Sequence, residues 1–186
     1  LRQSVKRGTQ VSILHSADDD LLMKIQAKAI GVPSALPALL AQVLKAAAHL
    51  KGTRVGGAID DLSVCDDAQR IAQSLASGTN VGILLGNFAE QHPQAATLHM
   101  LAAQLAAVIG GRCGFLGEAA NSVGGYVAGA VPGTNGLDAG KMLAQPRRAY
   151  VLLGVEPELD CADGAGALAA LGSAATVVAL GAFKSA

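Results

Sequence analysis

Three glycine-rich turns, each following a short apolar run, are where this chain could hold a ligand. They are Gly86-Asn87 after VGILL, the stretch GEAANSVGGYVAGAVPG at 117–133 after CGFL, and Gly154-Val-Glu-Pro157 after AYVLL. Glycine lets the backbone come close to a phosphate and turn its N–H groups toward it, so a nucleotide is the first chemistry to weigh. None of the turns has the GxxxxGK[ST] spacing of a P-loop, and neither does KGTRVGG at 51–57. The stretch 117–133 has one acid, no base, and no dinucleotide fingerprint. The plainer reading, that glycine ends each apolar run, stands beside the ligand reading.

Few other residues could do chemistry. Glu118, Glu156 and Glu158 are the carboxylates near these turns, suited either to acid–base work or to hydrogen bonding with loop amides. His15, His49, His92 and His99 stand apart without HxH or HExxH spacing, and no GxSxG elbow occurs. His92, just before Pro93, and His99, two turns along, read as structural. Asp18, Asp19 and Asp20 cannot converge on a metal from one helix, because neighbours point about 100° apart. They read as the first turn of a helix capped by Ser16. Cys65, Cys113 and Cys161 form no CxxC pair and read as small buried apolar side chains in a reducing compartment.

The elements that must position these turns follow from the apolar pattern. Short strands are predicted at 11–14, 81–85, 113–116, 149–153 and 176–180. Helices are predicted at 36–50, 66–75, 93–109, 137–143 and 164–171. Strand and helix alternate from residue 79 onward, the pattern of a parallel sheet, and the unbroken apolar runs predict strands buried on both faces. The expected fold is α/β: an open, mostly parallel sheet flanked by helices, Rossmann-like, in three αβα layers. Residues 1–15 form a helix end and first strand, 16–78 a mostly helical insertion or lobe, and 79–186 the Rossmann-like portion. In such a sheet the three turns meet in one crevice beyond the strands' C-terminal ends.

Composition supports a core and removes some functions. Of 186 residues, 51% are hydrophobic but only 3% aromatic, with no tryptophan, so the core must be aliphatic. Fourteen basic residues balance fourteen acidic ones, which leaves neither a phosphate-neutralising surface nor a base-stacking platform for nucleic acid. No apolar run approaches the ~20 residues of a membrane span, and no membrane insertion is expected. The opening LRQSVKRG reads as a helix end, and the chain is expected to be a piece of a longer protein.

Three segments together resemble a known family. GEAANSVG at 117–124, with Gly129 and Pro132, resembles the N-x-x-G…G…P segment of the molybdopterin oxidoreductase superfamily, Asn121 and Gly124 taking the N-x-x-G positions. LLGVEP at 152–157 resembles its strand ending in G-x-N-P, and TVVALGAF at 176–183 its strand reading V-V-x-x-D-x-F. Longer stretches, VSILHSADDDLLM, FLGEAANSVGGYVAGAVP and MLAQPRRAYVLLGVEPELDC, are similar to the large iron–sulfur subunits of bacterial NADH:quinone oxidoreductase, respiratory complex I. The resemblance covers nearly the whole chain.

The resemblance implies a parent enzyme passing electrons from NADH through iron–sulfur clusters to quinone, peripheral on the cytoplasmic side of the inner membrane. Its partners would be the rest of its own subunit and other peripheral-arm subunits. It implies a vestigial crevice of Gly86, Asn87, Asn121, Gly124, Gly154, Glu156, Pro157 and Gly181, with no catalytic or metal-binding residue in this stretch. Glu156 stands where the family has asparagine, and Gly181 where cofactor-binding members have the aspartate that holds guanine. A glycine cannot accept from guanine's two N–H donors, so the expectation is no cofactor here, the pterin having been lost. The alternative expectation is a working pterin-dinucleotide domain of a formate-dehydrogenase-like enzyme. A third is a plain nucleotide-binding module.

Overall fold

The computed structural model describes residues 1–117, 119 and 121–182. Glu118, a candidate carboxylate, and Phe183, which ends the third motif, lie outside the described residues. The chain is α/β, with short parallel strand pairs among helices, and divides into two compact units, Leu1–Ala120 and Asn121–Ala186.

In the first unit, α1 (Arg2–Lys6) is followed by Gly8 at φ 97°, a left-handed stop that glycine tolerates. Then come β1 (Ser12–His15), β2 (Ala27–Ile30), α2 (Leu36–Leu50), α3 (Asp66–Ala76), β3 (Gly82–Leu85), α4 (Asn87–Glu90), α5 (Ala95–Ile109) and β4 (Arg112–Phe115). β1 pairs with β2, and β3 with β4, each in parallel. Alanine-rich α2 starts with Pro37 in its first turn, where the missing N–H costs nothing. It buries Leu36, Leu40, Val43, Leu44 and Ala47 at helical spacing and packs against α3 and α5. α5 faces them with Leu98, Leu101, Ala102, Leu105 and Ile109. Each fully buried leucine contributes about 1.5–3 kcal/mol, so these three helices carry the unit's core.

Two adjacent glycines turn α5 into β4. Gly110, at φ 70°, caps the helix, and the Gly111 N–H returns to Ala106 O at 2.8 Å. A Cβ on Gly111 would sit 2.8 Å from the carbonyl oxygen of Val81, which accepts the Arg112 N–H at 2.9 Å. Close approach at Gly111 therefore lets β4 begin pairing at its first residue.

The second unit holds α6 (Ser122–Val127), α7 (Ala139–Ala144), β5 (Ala149–Leu153), α8 (Pro157–Asp160), α9 (Gly164–Gly172) and β6 (Thr176–Leu180), with β5 and β6 parallel. Asp138 caps α7 by accepting the Lys141 N–H at 2.8 Å. The buried Tyr150 ties β5 to that helix: its hydroxyl donates to Met142 O at 2.9 Å and accepts the Arg147 N–H at 2.8 Å.

Several expectations need correction. The described strands pair as three two-stranded parallel ladders. No helix begins at Ser16: Asp18 pairs with Lys28, and Asp20 Oδ1 accepts the Leu22 N–H at 2.9 Å. The physical reason is length, since residues 16–26 must return the chain to a parallel neighbour and a helical crossover needs at least a dozen or so residues. The lobe at 16–78 accordingly contains strand β2 as well as helices. The strands are not buried on both faces. Every residue of β6 is exposed, and Val151 and Leu153 of β5 are 71% and 76% exposed. An unbroken apolar run records surface suited to cover, but cover must come from neighbouring elements. Finally, Cys65 is exposed and Cys113 and Cys161 are half-buried, so the thiols are not uniformly core residues; all three are free.

Candidate functional site

The eight crevice residues divide between the units: Gly86 and Asn87 belong to the first, the other six to the second. Within the second unit, the ladder brings two of the turns side by side. Gly154, at φ 61°, leaves β5 in a left-handed turn, and its N–H donates to Leu180 O at 2.8 Å, one residue before Gly181. Glu156 is the N-cap of α8 and Pro157 its first residue. The Glu156 N–H is already taken by Asp160 Oδ2 at 2.7 Å. With Glu158 in the same turn, this strand end gathers three carboxylates on five consecutive residues.

That donor set does not fit a pterin dinucleotide. The pyrophosphate is anionic, and carboxylates beside it repel rather than clamp it. Gly181 supplies no acceptor for guanine.

Asn121 and Gly124 have a local role. Asn121 is the N-cap of α6, and its carboxamide occupies the space that a Cβ on Gly124 would need. Asp163 and Gly166 repeat this relation at α9, where the Gly166 N–H donates to Asp163 Oδ1 at 2.9 Å. Glycine at the third helical position lets the capping side chain fold over the first turn. At α6, unlike α9, the N-cap side chain makes no capping hydrogen bond, so the two share the close approach to glycine and not the cap.

The histidines also have structural partners. The buried His92 accepts the Gln94 N–H on Nδ1 at 2.9 Å, which places its proton on Nε2 for donation to Pro33 O at 3.0 Å. It thus pins the entry of α5 to the turn before α2. His99 meets Phe115 edge-on with ring centroids 4.9 Å apart. Among the described residues, no group of three or more His, Cys, Asp or Glu is placed to hold a metal ion. No described helix is long and apolar enough to cross a membrane.

Gly86 and Asn87 line something the sequence did not announce. A cavity of about 450 Å³ lies within the first unit, between β1 and β3. Leu36, Leu40, Val43, Ile71, Leu98 and Leu105 give it an aliphatic floor, and His15, Gly86 and Asn87 stand where the two strands end. Its lining includes no Lys, Arg, Asp or Glu. Nearby, Ser12 Oγ, on β1, is buried without a hydrogen-bond partner. The sequence signal was present but indirect: VSILH and VGILLGN are two strand candidates with no element order to make them neighbours.

Comparison with known proteins adds no identification: no family model matches this chain, and no curated protein or solved structure matches it.

Proposed function

We propose that this chain is the non-redox scaffold portion of the large iron–sulfur subunit of a bacterial NADH:quinone oxidoreductase. On this reading the three parallel ladders belong to an open, mostly parallel, Rossmann-like domain of three αβα layers, in which β1 and β3 are neighbours that do not pair. The domain descends from a pterin-binding ancestor, carries no redox centre in this stretch, and packs against the rest of its subunit and other peripheral-arm subunits. The assembly sits on the cytoplasmic side of the membrane and passes electrons from NADH through iron–sulfur clusters to quinone.

The observation that carries the reading is the second motif's strand end. Gly154 and Gly181 stand side by side, as the resemblance requires of a dinucleotide-binding edge, yet the chemistry there is acidic and lacks the guanine-binding carboxylate. A preserved turn with unsuitable ligands supports descent with loss of the cofactor. The test is metal analysis of the complete subunit. Stoichiometric iron without molybdenum or tungsten is expected. Stoichiometric molybdenum or tungsten would favour the formate-dehydrogenase-like reading instead.

A further inference from the structure

The cavity in the first unit lies between two unpaired strand edges. In β1, the carbonyls of Val11 and His15 accept from Gln26 and Gly31 on the β2 side, at 2.7 and 3.1 Å. Peptide groups alternate in direction along a parallel strand, so those of Ser12 and Leu14 face the other edge. In β3, Val81 and Leu85 carbonyls accept from Arg112 and Leu116 on the β4 side, at 2.9 and 2.8 Å, so the Gly82 and Leu84 peptides face away from β4. Ser12, Leu14, Gly82 and Leu84 all line the cavity, and among the described residues no backbone hydrogen bond joins β1 to β3.

We propose that this cavity is a binding site for a neutral, mainly apolar small molecule carrying one hydroxyl or carbonyl oxygen. Volume, wall and rim agree on that class. About 450 Å³ falls in the ordinary range of small-molecule pockets. Apolar walls hold water poorly and reward burial of a hydrocarbon body. A nucleotide or fatty-acid anion finds no cation among the lining residues, and an unpaired buried charge is strongly disfavoured. The polar needs of the ligand are met at the rim. His15 accepts the Ala17 N–H on Nδ1 at 3.0 Å, which leaves an N–H on Nε2, and Asn87 offers a carboxamide. His15 is the last residue of β1 and Asn87 lies two residues past β3, so both stand at the C-terminal ends of parallel strands, where open α/β folds bind ligands.

The test uses the full chain with labelled Leu, Val and Ile methyls, titrated with 1-octanol and separately with octanoate at pH 8. Octanol should shift the methyls of Leu40, Val43 and Ile71 saturably, leave Val151 and Leu153 unmoved, and bind at least tenfold more tightly than octanoate. Gly82→Leu and Gly86→Leu each add a side chain at a residue lining the cavity, where a Cβ meets nothing within 4 Å, so both crowd its edge at little risk to the fold. Either folded variant should lose at least tenfold in octanol affinity. Equal binding of octanoate, unsaturable shifts shared with Val151, or octanol affinity unchanged in both variants would overturn the proposal. So would cross-strand NOEs pairing Leu14 with Ile83, which would mean that the two edges close on each other.

Discussion

Two leucines in the same core should respond differently to the same truncation. Leu44 of α2 is fully buried and does not border the cavity, whereas Leu105 of α5 is 1% exposed and lines it. Both lose the same atoms in Leu→Ala. A side chain beside a void has fewer partners to lose on that flank, because dispersion contacts need atoms on both sides. Leu44→Ala should cost about 4 kcal/mol and Leu105→Ala about 3 kcal/mol, within the range of buried leucine truncations. With an m-value of about 2 kcal/mol/M, urea midpoints should fall by roughly 2 M and 1.5 M. The assay is equilibrium unfolding followed by ellipticity at 222 nm, with Leu153→Ala as the exposed control, expected to shift stability by less than about 0.5 kcal/mol. If Leu105→Ala costs as much as Leu44→Ala or more, the cavity beside it is filled by protein, and the physical basis of the proposed site fails.

Other substitutions test other joints. Gly110→Ala should cost about 1 kcal/mol through its left-handed φ alone, since nothing lies within 4 Å of the added Cβ; Gly82→Ala, without that φ, should be neutral or stabilising in the same melt. His92→Ala should cost about 2–3 kcal/mol by orphaning the Gln94 N–H and Pro33 carbonyl, and should raise amide exchange at the start of α5. Asp138 should titrate below its ordinary 3.8, because the Lys141 N–H, and then the Lys141 side chain, favour the carboxylate. A depressed pKa gives stability above the ordinary value and loses it as pH falls through the folded one, so α7 should fray in acid, and Asp138→Asn should remove that pH dependence. Carboxyl-carbon NMR reads the titration directly.

Long helices and the strands of the second unit are legible because several signals agree there. α2 shows helical apolar spacing, alanine, and Pro37 at its start, and it adopts the bounds that this pattern predicts. β5 and β6 likewise lie where VLL and VVAL place them. β2 is hidden, because AKAI has only one β-branched residue and alanine reads as helix. Short α4, α6 and α8 carry too few turns for any periodicity to register. Capping chemistry misleads at Asp18, where a lysine ten residues away competes for the carboxylate. The Gly154–Gly181 edge can be anticipated from turn residues, since each follows an apolar run. The cavity cannot, because it depends on β1 and β3 being neighbours without pairing, which no local pattern encodes.

The parallel sense of β5 and β6 has a mechanical consequence. Ala149 is paired with Thr176 and Leu153 with Leu180, so the chain enters the ladder and leaves it at opposite ends. Tension applied between the start of β5 and the end of β6 runs along both strands and loads all the rungs at once, in shear. An antiparallel hairpin pulled from its two open ends would instead unzip one rung at a time. Force carried in that sense must break all five paired positions of the ladder together, although its side chains are among the more exposed of the described residues.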